Sequence, residues 1–169
     1  MDVWDLDPNE VIDEITARYE NCSDVEILSE LASMPALPNE DDPCWDDSKF
    51  WIDSAYKLDA LFGIATGRKL FESIGIVLSK MCHGDPGEMM RGYCHGFEYV
   101  VAPDYERLFE PYRNGSLSER LGTRIWSLTF LNRLRTPKAK PIFEQFATDS
   151  NSEIRTIATR GLSNLESAS

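Results

Sequence analysis

The chain has 169 residues, of which 42% are hydrophobic, 27% charged and 11% aromatic, so it can build one hydrophobic core and is not a disordered chain. The net charge of −12 and the pI near 4.6 would repel a phosphate backbone, which excludes nucleic acid as the main partner. The sequence shows no apolar run long enough for a membrane span and no secretory signal, so we expect a cytoplasmic protein without membrane contact.

Capping signals predict the first two helices. Asp7 precedes a proline at the first helical position and a glutamate at the third, and an apolar stripe follows, which predicts a helix over 8–20. Ser23 and Glu26 have the spacing of a capping box, and a Met-Pro pair closes the pattern, which predicts a second helix over 24–34.

The rest of the chain also has a helical pattern after an irregular segment. Residues 35–47 lack periodicity and contain three prolines and five acids, which predicts a loop. Two apolar stripes follow, separated by Gly63–Gly67, and Ser116 with Glu119 is one of several later capping signals. The predicted helices run over about 50–62, 70–81, 85–101, 103–113, 116–135, 137–148 and from 150 onward. With no pattern of period two, the sequence predicts an all-α fold of about nine helices.

Three of these helices share a pattern that aligns on an arginine. The segments are DPGEMMR at 85–91, SERLGTR at 118–124 and DSNSEIR at 149–155. The arginines are Arg91, Arg124 and Arg155, and the capping residues six positions earlier are Asp85, Ser118 and Asp149. Offsets of two, three, six and ten after the arginine share one apolar face, and offset three is a small residue that allows close helix approach. The spacings of 33 and 31 residues indicate stacked helical hairpins.

The stretch AKPIFEQFATDSNSEIRTIATRGLSNL resembles a HEAT-like repeat, and the resemblance extends over about residues 68–166. It implies an α-solenoid of HEAT-like helical hairpins. The chain would then be a single helical domain, with acidic N-terminal helices and a loop over 1–47 and repeats over 48–169. We expect the repeat arginines to pair with the turn aspartate or with helix-end carbonyls of the adjoining repeat, and phosphate binding is the alternative.

Acidic side chains concentrate in residues 1–60. This segment holds 17 aspartates and glutamates against three basic side chains, a net charge of −14, whereas the rest of the chain comes to about +2. One interpretation is a solvated face that keeps the protein soluble. The other is a surface complementary to a basic protein partner, which electrostatic steering would bring in rapidly.

Signals for catalysis or for a cofactor are weak. The two histidines lie in Cys82-His83 and Cys94-His95, but a hairpin that turns at Gly84 would hold these pairs well apart, which argues against zinc and against a cysteine nucleophile. The four cysteines lack CxxC spacing, and we expect them to be reduced thiols. GDPGE at 84–88 lacks the ending of a phosphate loop. We therefore expect no enzyme, no metal and no cofactor.

The loop with Trp45 is the candidate binding site. Its sequence DDPCWDDSKFW combines acidic side chains with aromatic anchors, which is the composition of an interaction hot spot. Trp51 lies on the third predicted helix and is expected in the core, whereas Trp45 either anchors a partner or packs the loop onto the repeats. The residues predicted to bind a partner are Glu40, Asp41, Asp42, Trp45, Asp46, Asp47 and Asp53.

The run LSKMCHGDPGEMMRGYCHGFEYV together with the HEAT-like C-terminus is similar to helical immunity proteins encoded beside polymorphic or contact-dependent growth inhibition toxins in bacteria. This resemblance implies an inhibitor that binds a cognate basic toxin domain, for example an RNase or DNase. Acidic side chains would block the active site in place of substrate phosphates. We expect the inhibitor to be a monomer. The alternatives are a HEAT-like scaffold or adaptor, and a HEAT-like DNA-repair or lyase-type enzyme.

Overall fold

Every regular element is helical in the computed structural model, which describes residues 7–38, 42–43, 48–82, 96–101 and 104–167. The α-helices are α1 (Pro8–Tyr19), α2 (Asp24–Ser33), α3 (Ser48–Phe50), α4 (Lys57–Gly67), α5 (Glu72–Lys80), α6 (96–101), α7 (Phe109–Ser116), α8 (Leu121–Leu134), α9 (Lys140–Phe146) and α10 (Ser152–Glu166). A π-helical segment (Trp51–Tyr56) joins α3 to α4, and 3₁₀ turns precede α7 (Asp104–Leu108) and α9 (Pro137–Ala139). The predicted all-α class is confirmed for these ranges.

Local capping sets the first two helices as the sequence predicts. The Asp7 carboxylate accepts a hydrogen bond from the Asn9 amide at 2.9 Å, and Pro8 takes the first helical position. At the start of α2, Ser23 Oγ accepts from the Glu26 amide at 3.3 Å, and the Glu26 carboxylate accepts from the Ser23 amide at 2.7 Å. These two reciprocal bonds complete the capping box.

The two helices predicted on either side of Gly63–Gly67 are separate, but the break between them lies later than predicted, because α4 includes both glycines and ends at Gly67. The helix ends in a Schellman motif instead. The Lys69 amide donates to Thr66 O at 3.0 Å, and Lys69 itself takes the left-handed conformation at φ 57°. The Leu70 amide then donates to Ala65 O at 2.9 Å. A lysine thus fills the position where glycine is usual, which displaces the break by several residues.

The start of α8 also differs from the prediction. Ser116, expected to cap this helix with Glu119, is the last residue of α7, where its hydroxyl donates to a carbonyl of its own helix at 2.7 Å. The N-cap of α8 is Arg120, whose side chain makes no capping bond. Tertiary contact holds this end of the helix, since the buried Thr123 hydroxyl donates to Leu78 O at 2.8 Å.

The helices stack in chain order around one hydrophobic core. α1 and α2 pack on α4, α2 also on α5, α5 on α7 and α8, and α8 on α10. The most extensive pair is the hairpin α7–α8, followed equally by α8–α10 and the hairpin α9–α10. Buried side chains from α2 to α10 form one continuous cluster, and its large members include Phe62, Phe97, Tyr112, Phe130 and Phe143. Contacts between successive helix pairs are the kind of packing on which a solenoid is built.

Two of the three predicted repeat units share a turn geometry. Ser118 Oγ accepts a hydrogen bond from the amide two residues later at 3.2 Å, and Asp149 Oδ1 does the same at 2.8 Å. These side chains shape the turn and are not the helix caps, because the N-caps Arg120 and Asn151 follow two positions later. The third unit, at 85–91, lies outside the described residues.

Small residues allow the close helix approach that the repeat pattern predicts. Ser127 and Ala158, both three positions after a repeat arginine, are fully buried. Ser127 packs so closely on Gly115 of α7 that a Cβ on that glycine would collide with its hydroxyl. Gly161 of α10 lies against α9, and a Cβ there would come within 2.7 Å of the Phe143 ring.

Candidate functional site

Most of the predicted partner-binding residues lie outside the described residues; these are Glu40, Asp41, Trp45, Asp46 and Asp47. Asp42 is described and exposed. Asp53 is exposed on the π-helical segment, with its carboxylate 4.0 Å from Lys49 Nζ. The side chain of Trp51, expected in the core, is not among those described. The binding role of the loop therefore stays a prediction.

The outer surface of α1 carries the best-defined acidic cluster. Glu10, Asp13 and Glu14, which we call the α1 acidic face, lie three and four residues apart and so point to the same side of the helix. All three are exposed, and none forms an ion pair with a described residue. The opposite side of α1 is a partly buried stripe that packs on α4.

Lys57 is one of the three basic side chains in the acidic segment 1–60, and it links two helices. Lys57 Nζ of α4 donates to Glu30 Oε1 of α2 at 3.1 Å and lies 5.2 Å from the centroid of the Tyr19 ring. Burial lowers the pKa of Lys57, but its hydrogen bonds to Tyr19 and Glu30 outweigh burial and raise it overall. The bond from Lys57 holds the pKa of Glu30 below its usual range. Both groups are therefore charged, and they tie α2 to α4.

Two further cations are directed at backbone carbonyls. Arg68 donates through one nitrogen to Cys22 O at 2.8 Å and Asp24 Oδ1 at 2.9 Å, and through the other to Glu20 O at 2.7 Å. Lys80 donates to carbonyls at the end of α2, one of them at 2.9 Å. Burial lowers the pKa of Lys80, and the nearby guanidinium of Arg120 adds to this. These contacts hold α1 and α2 in place, and Arg68 neutralises the exposed Asp24, whereas neither Arg68 nor Lys80 pairs with the α1 acidic face.

The repeat arginines do not share one set of contacts. Arg155 donates to Asp149 O at 2.7 Å and Ser150 O at 2.8 Å, so it binds carbonyls of its own turn and not of the adjoining repeat. The buried Nε of Arg124 has no hydrogen-bond partner within the described part of the chain. Arg91 lies outside it. The pairing prediction therefore holds only in part, and phosphate binding stays a prediction.

A partly buried charge cluster, centred on the buried carboxylate of Glu98, lies where α6, α7 and α8 meet. The Glu98 side chain is 9% exposed, and its Oε1 accepts from the Tyr112 hydroxyl at 3.1 Å. Its Oε2 accepts from Arg133 through Nε at 3.1 Å and through a terminal nitrogen at 2.9 Å. Burial raises the pKa of Glu98, and Arg133 and Tyr112 oppose this only in part. The partners are 14 and 35 positions away in sequence, so no local pattern could have revealed the cluster.

The structure provides little for metal or thiol chemistry in the described ranges. There, no three histidine, cysteine or acidic side chains converge in a way that could hold a metal ion. Cys22 is a partly buried thiol, and Cys82 is buried with its carbonyl accepting from Trp126 Nε1 at 2.9 Å. Both histidines and the other two cysteines fall on residues that the structure does not describe.

Comparison of the chain with protein-family models, with curated proteins and with solved structures finds no match. No helix in the described ranges combines the length and the apolar character needed to cross a lipid bilayer. Charge, burial and helix packing are therefore the observations from which a function can be inferred.

Proposed function

We propose that the chain is a protein-binding inhibitor of the immunity type, which acts as a monomer and without catalysis of its own. Its acidic N-terminal third would bind a cognate basic toxin domain and cover that domain's active site. The observation that carries the proposal is the α1 acidic face, which is exposed and has no ion pair with a described residue. The acidic segment 1–60 has a net charge of −14, so this face belongs to a strongly negative region.

The internal use of the cations supports this interpretation. Lys57, Arg68 and Lys80 contact the chain at or between α1 and α2, and each donates to a carboxylate or carbonyl there. Exposed cations do exist here, at Arg18 and Lys49, but they are few beside the acids. A surface that needed only solubility would mix both signs, whereas a single-sign surface steers a partner of the opposite charge.

A nuclease domain is the partner class that this chemistry fits best. Its active site is built to hold phosphates, so carboxylates presented along one side of a helix can take their place. An effective inhibitor needs a Kd near nanomolar, or about −12 kcal/mol. The buried area of an interface does not by itself guarantee that affinity. We therefore expect charge pairs at the rim of the interface to speed association and buried contacts to slow dissociation.

Capture of the partner tests the proposal directly. The tagged full chain is expressed in its native cells and purified at low salt, and bound proteins are identified by mass spectrometry. We expect a basic protein that is toxic when produced alone and is rescued by this chain. A partner that is neither basic nor toxic would contradict the proposal and favour the scaffold or adaptor alternative.

Two triple variants test the role of the α1 acidic face once the partner has been identified. Glu10→Gln, Asp13→Asn and Glu14→Gln together should slow association about tenfold at low salt and flatten its salt dependence, because steering is lost. The control removes the same charge from exposed acids of the C-terminal half, at Glu119, Glu144 and Glu166. Equal slowing in both triple variants would show that net charge alone, and not the α1 acidic face, controls binding.

The predicted loop is tested separately. Replacing Asp41, Asp42, Asp46 and Asp47 with asparagine should also slow association, and Trp45→Ala should raise the dissociation rate at a cost of about 2 kcal/mol if this tryptophan is an anchor. Unchanged affinity and salt dependence in both variants would remove the loop from the interface.

A further inference from the structure

A groove with apolar and acidic walls runs between α5 and α7. Its volume is about 490 Å³, within the range of about 300–1,000 Å³ that is typical of ligand pockets. Its apolar lining residues are Phe71, Leu78 and Pro111, of which the first two are buried, and the exposed carboxylates of Glu72 and Glu110 also line it. We call this feature the α5–α7 groove.

The lining residues of the groove carry negative charge only, and two cations adjoin them: Arg107 lies over the Phe71 ring, and Arg113 pairs with Glu110. Of its eleven lining residues two are acidic and none is basic, although residues 61–169 as a whole come to about +2. Glu72 forms no ion pair with a described residue. Glu110 lies 2.8 Å from Arg113, but these side chains are 60% and 48% exposed, and an exposed pair of this kind is weak enough for an incoming cation to replace.

We propose that the α5–α7 groove docks a short extended segment of the partner protein in which basic side chains flank an aliphatic one. Apolar wall residues would cover the aliphatic side chain, and Glu72 and Glu110 would receive the flanking cations. From Glu72 to Ser79, α5 rises about 10 Å, a distance that about three residues of extended chain span. The inference rests on the proposed function, because it gives the basic partner a second contact outside the acidic segment.

Two helix-interior glycines provide a matched test. Gly75 of α5 lines the groove, and a Cβ added there meets no atom within 4 Å. Gly63 of α4 has the same open surroundings and does not line the groove. Replacing either glycine with methionine should favour the helix, so neither variant should lose its fold. Only Gly75→Met would place a side chain in the groove.

The experiment titrates two probes into the ¹⁵N-labelled full chain and follows amide shifts by NMR. The first probe is Ac-Arg-Leu-Arg-NH2, and the second, Ac-Gln-Leu-Gln-NH2, has the same length without charge. We expect the arginine peptide to saturate shifts at Gly75, Asn114 and Gly115 with a Kd of about 1 mM. Glu72→Gln should weaken it about fivefold and Gly75→Met at least about tenfold, while Gly63→Met leaves it within about twofold.

Three results would overturn the inference. They are equal binding of the two peptides, shifts that persist in Gly75→Met, and shifts confined to the α1 acidic face. None of these bears on partner capture, which is measured with the whole protein and with the α1 variants. Loss of peptide binding beside intact capture therefore refutes the groove alone, and failed capture beside a saturable groove refutes the immunity function alone.

Discussion

Replacing Arg133 with methionine should expose how much the buried Glu98 carboxylate depends on its cation. The substitution keeps an unbranched side chain on α8 but removes both hydrogen bonds to Glu98 Oε2, at 3.1 and 2.9 Å. Tyr112 remains as a donor to Oε1. The carboxylate would then be a buried charge with a single neutral donor, and such groups are costly.

The expected loss of stability follows from how deeply Glu98 and Arg133 are buried. Removing one partner of a fully buried ion pair costs about 3–5 kcal/mol, because the other charge is left uncompensated. Here the Glu98 side chain is 9% exposed and the Arg133 side chain 45% exposed, so water already screens part of the attraction. We therefore expect a loss of about 2 kcal/mol at neutral pH, which is about 4–8 °C in Tm for a chain of this size.

The pH dependence identifies the cause. The pKa of Glu98 is raised in the folded protein, mainly by burial, and loss of Arg133 should raise it further. Between the unfolded and folded pKa values the folded state holds the extra proton, so its stability rises as pH falls through that window. The cost of Arg133→Met should thus be largest at about pH 8 and smaller at about pH 5, measured by urea unfolding.

A double substitution completes the test. Glu98→Gln with Arg133→Met leaves no buried charge, so it should cost less than the sum of the two single changes. A cost that does not vary with pH, together with strict additivity, would refute the view that an uncompensated carboxylate is responsible.

Three further substitutions probe the packing and caps by urea unfolding. Gly161→Ala should destabilise by about 1–3 kcal/mol, because its Cβ would meet the Phe143 ring at 2.7 Å; a neutral effect would show that α9 can move away. Trp126→Phe should cost about 1–2 kcal/mol by leaving the buried Cys82 carbonyl without its indole donor, and full stability would contradict this. Ser23→Ala should cost about 1 kcal/mol through the α2 capping box, a loss absent if the fold alone sets that helix end.

Sequence patterns predicted helices best where the deciding contacts are local. The caps of α1 and α2 involve residues within three positions of one another, so the sequence contains the whole interaction. The end of α4 depends on backbone conformation at Lys69, a residue type with no preference for positive φ. The start of α8 depends on a hydrogen bond from Thr123 to Leu78, 45 positions away. Neither could be predicted from neighbouring residues.

The candidate sites divide in the same way. The excess of acid in residues 1–60 is a property of composition and needed no structure. Some of these acids, such as Asp13, face outward, and others, such as Glu30, bind a lysine. Only the packing of α2 on α4 shows which acids belong to which group. The α5–α7 groove brings together Glu72 and Glu110, which are far apart along the chain and carry no shared motif.

Because α1 is only weakly buried, it should open locally more easily than the other helices. This helix contributes no fully buried side chain, and like charges along its outer surface repel one another in the docked state. Its amides should therefore exchange with solvent through small openings that cost less than global unfolding, and more readily at low salt. A basic partner that binds only the docked helix would oppose those openings in proportion to RT ln(1 + [L]/Kd). Slowed hydrogen exchange in α1 would then report occupancy of the acidic surface even where the bound complex is too large to resolve residue by residue.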